Sequence, residues 1–316
     1  MAKAASTSKA TTGLNPSTAQ RYHYDIYAIL EGTQEMYFGE EVAVNVNLVE
    51  KVKVPRSVPT EQSAQGFEEI DKCYISPTKR RGVERRTLIW APLASGMLLG
   101  DHEQCGIPLT CSRQDCPICC VYGGLQPKDD ISLVGRLTHG GGVAIQPLLP
   151  DVKQRAMHPS VLTREKEGTP MPTPMPYRRE YNEPALLYPI YNHCLSITEQ
   201  EFESVAYAFL NALGRIGAGN PKGVRIAEGA LLEDNEPLLV VDRYLAPLGA
   251  RPTISPQETN PNIALQRFRE AAFFVFGEKQ NSEVVDQGTA FTRWIGNKAL
   301  QQLQQHCLDF TQRVLM

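Results

Sequence analysis

The alternation of apolar and polar positions divides the chain into strand-forming and helix-forming stretches. Tyr22–Leu30 (YHYDIYAIL) mixes aromatic and β-branched residues and predicts a strand that Gly32 ends. Val42–Val54 (VAVNVNLVEKVKV) alternates with period two, as a half-buried strand or hairpin does. Residues 55–86 are polar and then basic and read as loop, with Thr87–Trp90 a short strand running into Pro92. Ile131–Leu137 and Val143–Leu149 read as strands around Gly140, Gly141 and Gly142. Ser196 or Thr198 caps a helix with Glu199, Glu201 and Glu203 at its start, and Phe202, Val205, Ala206, Phe209, Leu210 and Leu213 follow at helical spacing. A glycine-rich connector leads from Gly214 into another strand, and Leu238–Val241 is a further one. Beyond Pro261 the pattern turns helical through Ala264–Phe276, Phe291–Ile295 and Ala299–Val314. The whole predicts an α+β protein with helices packed on a sheet and no internal repeat.

Residues 150–184 interrupt this pattern with seven prolines, which exclude a helix and suit an extended arm or hairpin, either a solvated loop or a projecting contact arm. The first twenty residues lack an apolar signal core and read as a disordered lead-in. No run of eighteen apolar residues exists, so no membrane span is expected. Clustered cysteines without a signal peptide favour a reducing cytosol, hence a cytoplasmic protein.

A net charge of −3 excludes a uniformly basic surface. Cations nevertheless gather locally: Lys79, Arg80, Arg81, Arg85 and Arg86, then Lys153, Arg155, Arg164 and Lys166, then Arg178 and Arg179, then Arg215, Lys222 and Arg225. Acidic residues collect around Glu199–Glu203 and Glu228–Glu236, so a basic groove on a mildly acidic body is expected.

Five of the eight cysteines, Cys105, Cys111, Cys116, Cys119 and Cys120, fall within sixteen residues. The spacing C-x5-C-x4-C-x2-C through Cys119 reads as a structural zinc site pinning a loop. Cys116 and Cys119 are its firm half; His102 or Cys120 could replace Cys105 or Cys111. A redox pair would want a helix after the motif, and Val121-Tyr122-Gly123-Gly124 opens one poorly. A zinc deaminase would need H-x-E before P-C-x-x-C, and His102 and Glu103 are adjacent.

RIGAGNPKGVRI (Arg215–Ile226) has neither the Walker lysine motif nor the strand-to-helix setting of a dinucleotide fingerprint. Gly217, Gly219 and Gly223 among Arg215, Lys222 and Arg225 exceed what a helix C-cap needs and point to phosphate contact. His139-Gly140-Gly141-Gly142 copies an esterase oxyanion motif, but no G-x-S-x-G elbow accompanies it, so a glycine turn suffices. Asp129 and Asp130 have no partner recognisable by spacing, and His23, His158, His193 and His306 are scattered. No catalytic constellation emerges.

Together these parts resemble the RAMP superfamily of CRISPR–Cas proteins, in particular the repeating backbone (Cas seven-type) subunit of guide-RNA effector complexes. The resemblance runs in order through Tyr22–Leu30, the Pro-small-Ser turn in Leu88–Gly96, the C-P-x-C-x-x-x-G element Cys116–Gly124, the helix Thr198–Leu213 and the loop Arg215–Ile226. It covers roughly residues 20–245 and is greatest to the type I-D subunit, with type IV the near alternative. It implies a ferredoxin-like, RRM-type βαββαβ core spanning residues 21–260. Inserted into it would be a finger and zinc loop (50–135) and an arm or thumb (150–185), with residues 261–316 a helical segment packed on the core. It implies binding of guide crRNA without sequence preference through Lys79, Arg80, Arg81, Arg85, Arg86, Ser95, Arg215, Gly217, Gly219, Lys222, Gly223 and Arg225. Met171 or Met175 would be the thumb wedge. Its partners would be crRNA, paired target DNA or RNA, further copies of itself and other effector subunits. Two departures stand out: the lysine expected after the Pro-small-Ser turn is Met97, and the aspartate by which type III relatives cut RNA has no match beyond Asp71 in an unassigned loop. Intrinsic nuclease activity is therefore not expected. RAMP-type RNA processing and a zinc-stabilised interaction domain are the alternatives.

Overall fold

A computed structural model describes residues 19–34, 39–43, 46–58, 66–126, 130–148, 151–157, 175–181, 184–217 and 223–316 of the chain. Its framework is one antiparallel sheet built on β1 (Arg21–Gly32), with β7 (Leu187–Thr198) on one side and β9 (Leu239–Tyr244) on the other. Beyond β7 lies β4 (Leu137–Gly141), and beyond β9 lie β11 (Phe291–Ile295) and β10 (Val284–Asp286). A short strand, β8 (Val224–Ile226), extends the β9 edge along Leu30–Gly32.

Three helices complete the frame: α1 (Pro77–Ile89) between β1 and β4, α2 (Glu199–Ala212) between β7 and β9, and α4 (Asn297–Phe310) after β11. Read in chain order, β1-α1-β4-β7-α2-β9 is βαββαβ, and its strands lie side by side in the order fourth, first, third, second. That is the ferredoxin-like arrangement, an α+β fold with antiparallel sheet.

β1 is buried on both faces, as the centre of such a sheet must be. Tyr24, Ile26, Ala28 and Leu30 meet the helices in the larger core with Leu88, Phe202, Phe209, Leu303 and Phe310. Tyr24 stacks on Phe202 with ring centroids 4.0 Å apart. Tyr27 and Ile29 point the other way, against Val240, Ile295 and Phe268 of α3 (Pro261–Ala272). The expected cap of α2 is present: Thr198 and Glu201 form a reciprocal capping box, a device worth about 1 kcal/mol.

The structure departs from the sequence reading in four places. Within residues 55–86 the described part is not loop: β2 (Lys51–Val58) and β3 (Gly66–Cys73) pair antiparallel, and α1 follows. Thr87–Trp90 is the last turn and cap of α1 rather than a strand. Its helical period was hidden because the inward face carries Arg80, Glu84 and Thr87 beside Leu88 and Ile89. Of the stretch expected as a strand from Val143, residues 143–148 form none; the Ala144, Ile145 and Leu148 amides bond to Cys73, Leu187 and Asp71 carbonyls. Phe291–Ile295 is a strand, too short for an apolar run to separate from helix by periodicity.

The proline-rich segment contributes an antiparallel pair, β5 (Asp151–Met157) and β6 (Met175–Tyr181), the hairpin form expected of it. β6 also pairs in parallel with Val46–Val49. Met171 lies outside the described residues, and Met175 opens β6. Among the described residues no helix is long and apolar enough to cross a membrane.

Candidate metal centre and nucleic-acid interface

The loop after α1 folds its cysteines onto one point. Sγ atoms of Cys105, Cys111, Cys116 and Cys119 all lie within 4.8 Å of one another, with Cys105–Cys119 at 3.3 Å and Cys111–Cys119 at 3.7 Å. A tetrahedral ion with sulfur ligands about 2.3 Å away holds them about 3.8 Å apart, so this set could hold a metal ion. The Cys119 amide reaches Cys116 Sγ at 3.5 Å, a peripheral contact that orients a thiolate. The thiols are linked through mutual hydrogen bonds: those of Cys111, Cys116 and Cys119 hold Cys105 below the ordinary thiol range, and those of Cys105 and Cys111 push Cys116 and Cys119 above it. The two substitutes fall away. Cys120 is buried outside the cluster, where loss of solvent raises its thiol pKa, and His102 pairs with Glu103.

α1 divides the basic cluster in two. Arg80 faces inward at 1% exposure and donates to Asn192 Oδ1 at 3.0 Å and to the Gly140 carbonyl at 2.5 Å. Burial pushes its guanidinium down to about 10 despite nearby Glu84. One turn on, Glu84 accepts from Tyr122 and Asn192 and pairs with His139 at 2.6 Å. Burial would raise Glu84, but His139, Arg80 and Asn192 together hold it below the usual carboxylate range. Arg80 is thus part of a buried polar network that ties α1 to the sheet. This corrects its placement in a groove.

The opposite side of α1 presents Lys79, Arg81, Arg85 and Arg86. Arg81 and Arg86 are exposed, and Lys79 pairs with Glu50 at 2.5 Å. Arg81 also donates to the Tyr122 carbonyl, which joins the helix to the cysteine loop. Between helix and loop lies a cleft of about 290 Å³ lined by Arg81, Arg85, Thr110, Gly123 and Gly124. Nε and Nη2 of Arg85 are buried without a hydrogen-bond partner.

The remaining expected residues belong to the turn after α1 and to the glycine loop. Ser95 is exposed in the turn after the helix, which is closed by a Leu93 amide to Met97 carbonyl bond of 2.8 Å and tied to the C-terminus by Ala94 bonding Leu315 at 2.7 Å. The glycine loop lies beyond α2, next to the Gly32 end of β1. Gly223 has φ +72°, and a side chain there would meet the Gly214 backbone at 2.9 Å, so the loop closes glycine on glycine. Arg215 is exposed; Arg225 is exposed and pairs with Glu31 at 2.9 Å. Gly217 begins the loop, while Gly219 and Lys222 lie outside the described residues. Asp71 lies near the end of β3.

The sequence matches no protein-family model and no curated protein. Among solved structures the chain is similar to a chain of a CRISPR RNA-guided surveillance complex, with 11% identity, a TM-score of 0.38, and 79% of this chain and 82% of that one covered. It is also similar to Csc2 of Thermofilum pendens, with 12% identity, a TM-score of 0.42, and 95% of this chain and 89% of that one covered.

Sequence reasoning missed the far face of the sheet. A cavity of about 570 Å³ opens there between the Gly141–Ile145 segment, Tyr191 and His193 of β7, and the Arg251–Pro256 segment. His193 Nδ1 lies 2.8 Å from Asp25 Oδ1, and Asp25 Oδ2 accepts from Tyr27 at 2.9 Å and Tyr244 at 3.1 Å. These residues are separated in the chain by as many as 219 positions, so only the alternation of β1 and β7 could have signalled them.

Proposed function

We propose that this chain is a non-catalytic backbone subunit of a CRISPR effector ribonucleoprotein, binding guide crRNA along the outward side of α1 and oligomerising along it. The observation that supports this most is the sorting of the basic cluster. Arg80 is spent on the core, while Lys79, Arg81, Arg85 and Arg86 share the outward side of one helix, flanked by a cysteine-clamped loop. Such cations neutralise phosphates irrespective of base, as a carrier of many guides requires. The glycine loop, with Gly217, Gly219, Lys222 and Gly223, and the turn at Ser95 would add further phosphate contacts.

Zinc is the metal that four thiolates at this separation suit. It would hold the loop against α1 and take no part in chemistry. The cysteine-bearing loop favours a type I-D-like subunit, with residues 50–135 as finger and 150–185 as thumb carrying Met171 or Met175 as wedge. Further copies of the chain, other effector subunits and target DNA or RNA paired to the guide are the partners, in the cytoplasm. The experiment is purification from cells supplying a guide: a ladder of oligomers with a nuclease-protected RNA is expected. An RNA-free monomer whose RNA affinity is unchanged by Arg81→Ala/Arg86→Ala would overturn the reading.

A further inference from the structure

The cavity on the far face of the sheet is built for a ligand that the outward cations of α1 do not account for. β1 and β7 alternate, so Ile26, Ala28 and Asn192 face the helices while Tyr27, Tyr191 and His193 face the cavity side. The thickness of the sheet therefore separates this site from α1.

Three features give the cavity its chemistry. The first is a flat aromatic wall. The Tyr191 ring lies over Gly140 so closely that a side chain on that glycine would come within 1.8 Å of the ring, leaving the rest of the half-buried ring to line the cavity. Val143, Ile145 and Ile254 line the same space. The second is an oriented imidazole. Asp25 is 3% exposed and engaged by His193, Tyr27 and Tyr244 together. Burial, then Asp25 itself, raises both tyrosine pKa values, so both hydroxyls stay protonated donors. With Nδ1 held on Asp25, the His193 ring is 29% exposed and its other nitrogen is left for a ligand. The third is charge. Arg251 is exposed at the rim, Thr253 and Ser255 add hydroxyls, and among the described residues no carboxylate lines the cavity.

A ring to stack on, a guanidinium and an imidazole for an anion, and room in the 300–1,000 Å³ range of small-ligand sites together describe one phosphorylated nucleoside. We propose that this cavity binds a nucleotide unit, its base stacked on Tyr191 and its phosphate held by Arg251 and His193. Asp25 acts as the positioning residue behind His193. The unit comes either from a free mononucleotide or from a single strand passing the sheet; the recognition chemistry is the same.

The test is calorimetric titration of the full-length chain with AMP, adenosine and inorganic phosphate. One AMP per chain is expected, bound more tightly than adenosine or phosphate alone. Tyr191→Leu should weaken AMP and adenosine about tenfold each, as loss of one stacking platform does, and Tyr191→Phe should restore both. Arg251→Ala, at an exposed position that leaves the core intact, should weaken AMP and spare adenosine. Arg81→Ala/Arg86→Ala should leave adenosine binding and the preference for AMP over phosphate in place, which separates this site from the guide-binding reading. Displacement of AMP by a single-stranded RNA hexamer would assign the site to a strand; retention of AMP against it would assign it to a free nucleotide. AMP binding that is absent at millimolar concentration, or unchanged by both Tyr191→Leu and Arg251→Ala, overturns the proposal.

Discussion

Replacing Cys119 by serine removes a sulfur of the cysteine cluster that lies 3.3 Å from Cys105 Sγ and 3.7 Å from Cys111 Sγ. Serine keeps the size but offers a hydroxyl in place of a thiolate, so a four-sulfur site loses a ligand it cannot replace. The cost is not confined to the loop. Two and three residues beyond Cys119 come Val121 and Tyr122, each 0% exposed in the main core, with Tyr122 bonded to Glu84 of α1. Two such side chains each contribute about 1.5–3 kcal/mol by burial, so a loop that loosens forfeits roughly 3–6 kcal/mol. That is a large share of the ~5–15 kcal/mol that holds a domain folded. At about 2–4 °C per kcal/mol the midpoint should fall by roughly 10 °C. The assay is metal content by mass spectrometry alongside thermal unfolding with and without chelator. Wild-type protein should carry one zinc per chain and lose it to chelator with the same drop in midpoint. Cys307→Ser should keep the metal, because Cys307 lies on α4 beside Asn211, outside the cluster. Equal metal in wild-type and Cys119→Ser protein would refute the reasoning.

Arg80→Met should destabilise by about 3 kcal/mol or more, since it strips partners from Asn192 and Glu84 inside the protein, whereas Arg81→Ala/Arg86→Ala should cost only about 1 kcal/mol, for the Arg81–Tyr122 bond, and weaken RNA binding. Chemical denaturation and a salt-dependent RNA titration separate the two; a stable Arg80→Met protein would remove the buried-network reading. Gly142→Ala should cost more than 2 kcal/mol, because φ there is +94° and the added carbon would meet the Ile75 carbonyl oxygen at 2.1 Å; an unchanged denaturation midpoint would contradict this. Burial lowers the pKa of His306 in the folded state below 6.5, so the unfolded chain takes up a proton that the folded one refuses. Stability should therefore fall as pH drops below 6.5, by at most about 1.4 kcal/mol per pH unit, and His306→Gln should flatten that slope.

What could be read from the chain followed from local chemistry. Thr198 with Glu201 is a cap wherever it occurs, and four cysteines in fifteen residues converge because short turns leave them nowhere else to go. α1 was illegible for the reason that makes it informative. Its inner face uses Arg80 and Glu84 where an ordinary amphipathic helix uses leucine, and polar residues on both sides erase the period. A count of cations could not separate the arginine serving the core from those left for a ligand; that needed Asn192 and Gly140, which come from two other strands. The glycines of His139–Gly142 show the same limit from the other side. As a string they suggest a turn or an oxyanion hole, yet each serves a contact far away in the chain. Gly140 makes room for Tyr191, Gly141 approaches the Pro189 carbonyl, and Gly142 approaches that of Ile75. A motif matched by letters was thus a packing device, and the same packing lays the Tyr191 ring where a base could stack. Under the two proposals the faces of one sheet would carry separable sites: guide contact on the helix side and a nucleotide unit on the open side. Substitutions on one should leave the other intact, because no side chain of β1 or β7 reaches through to both.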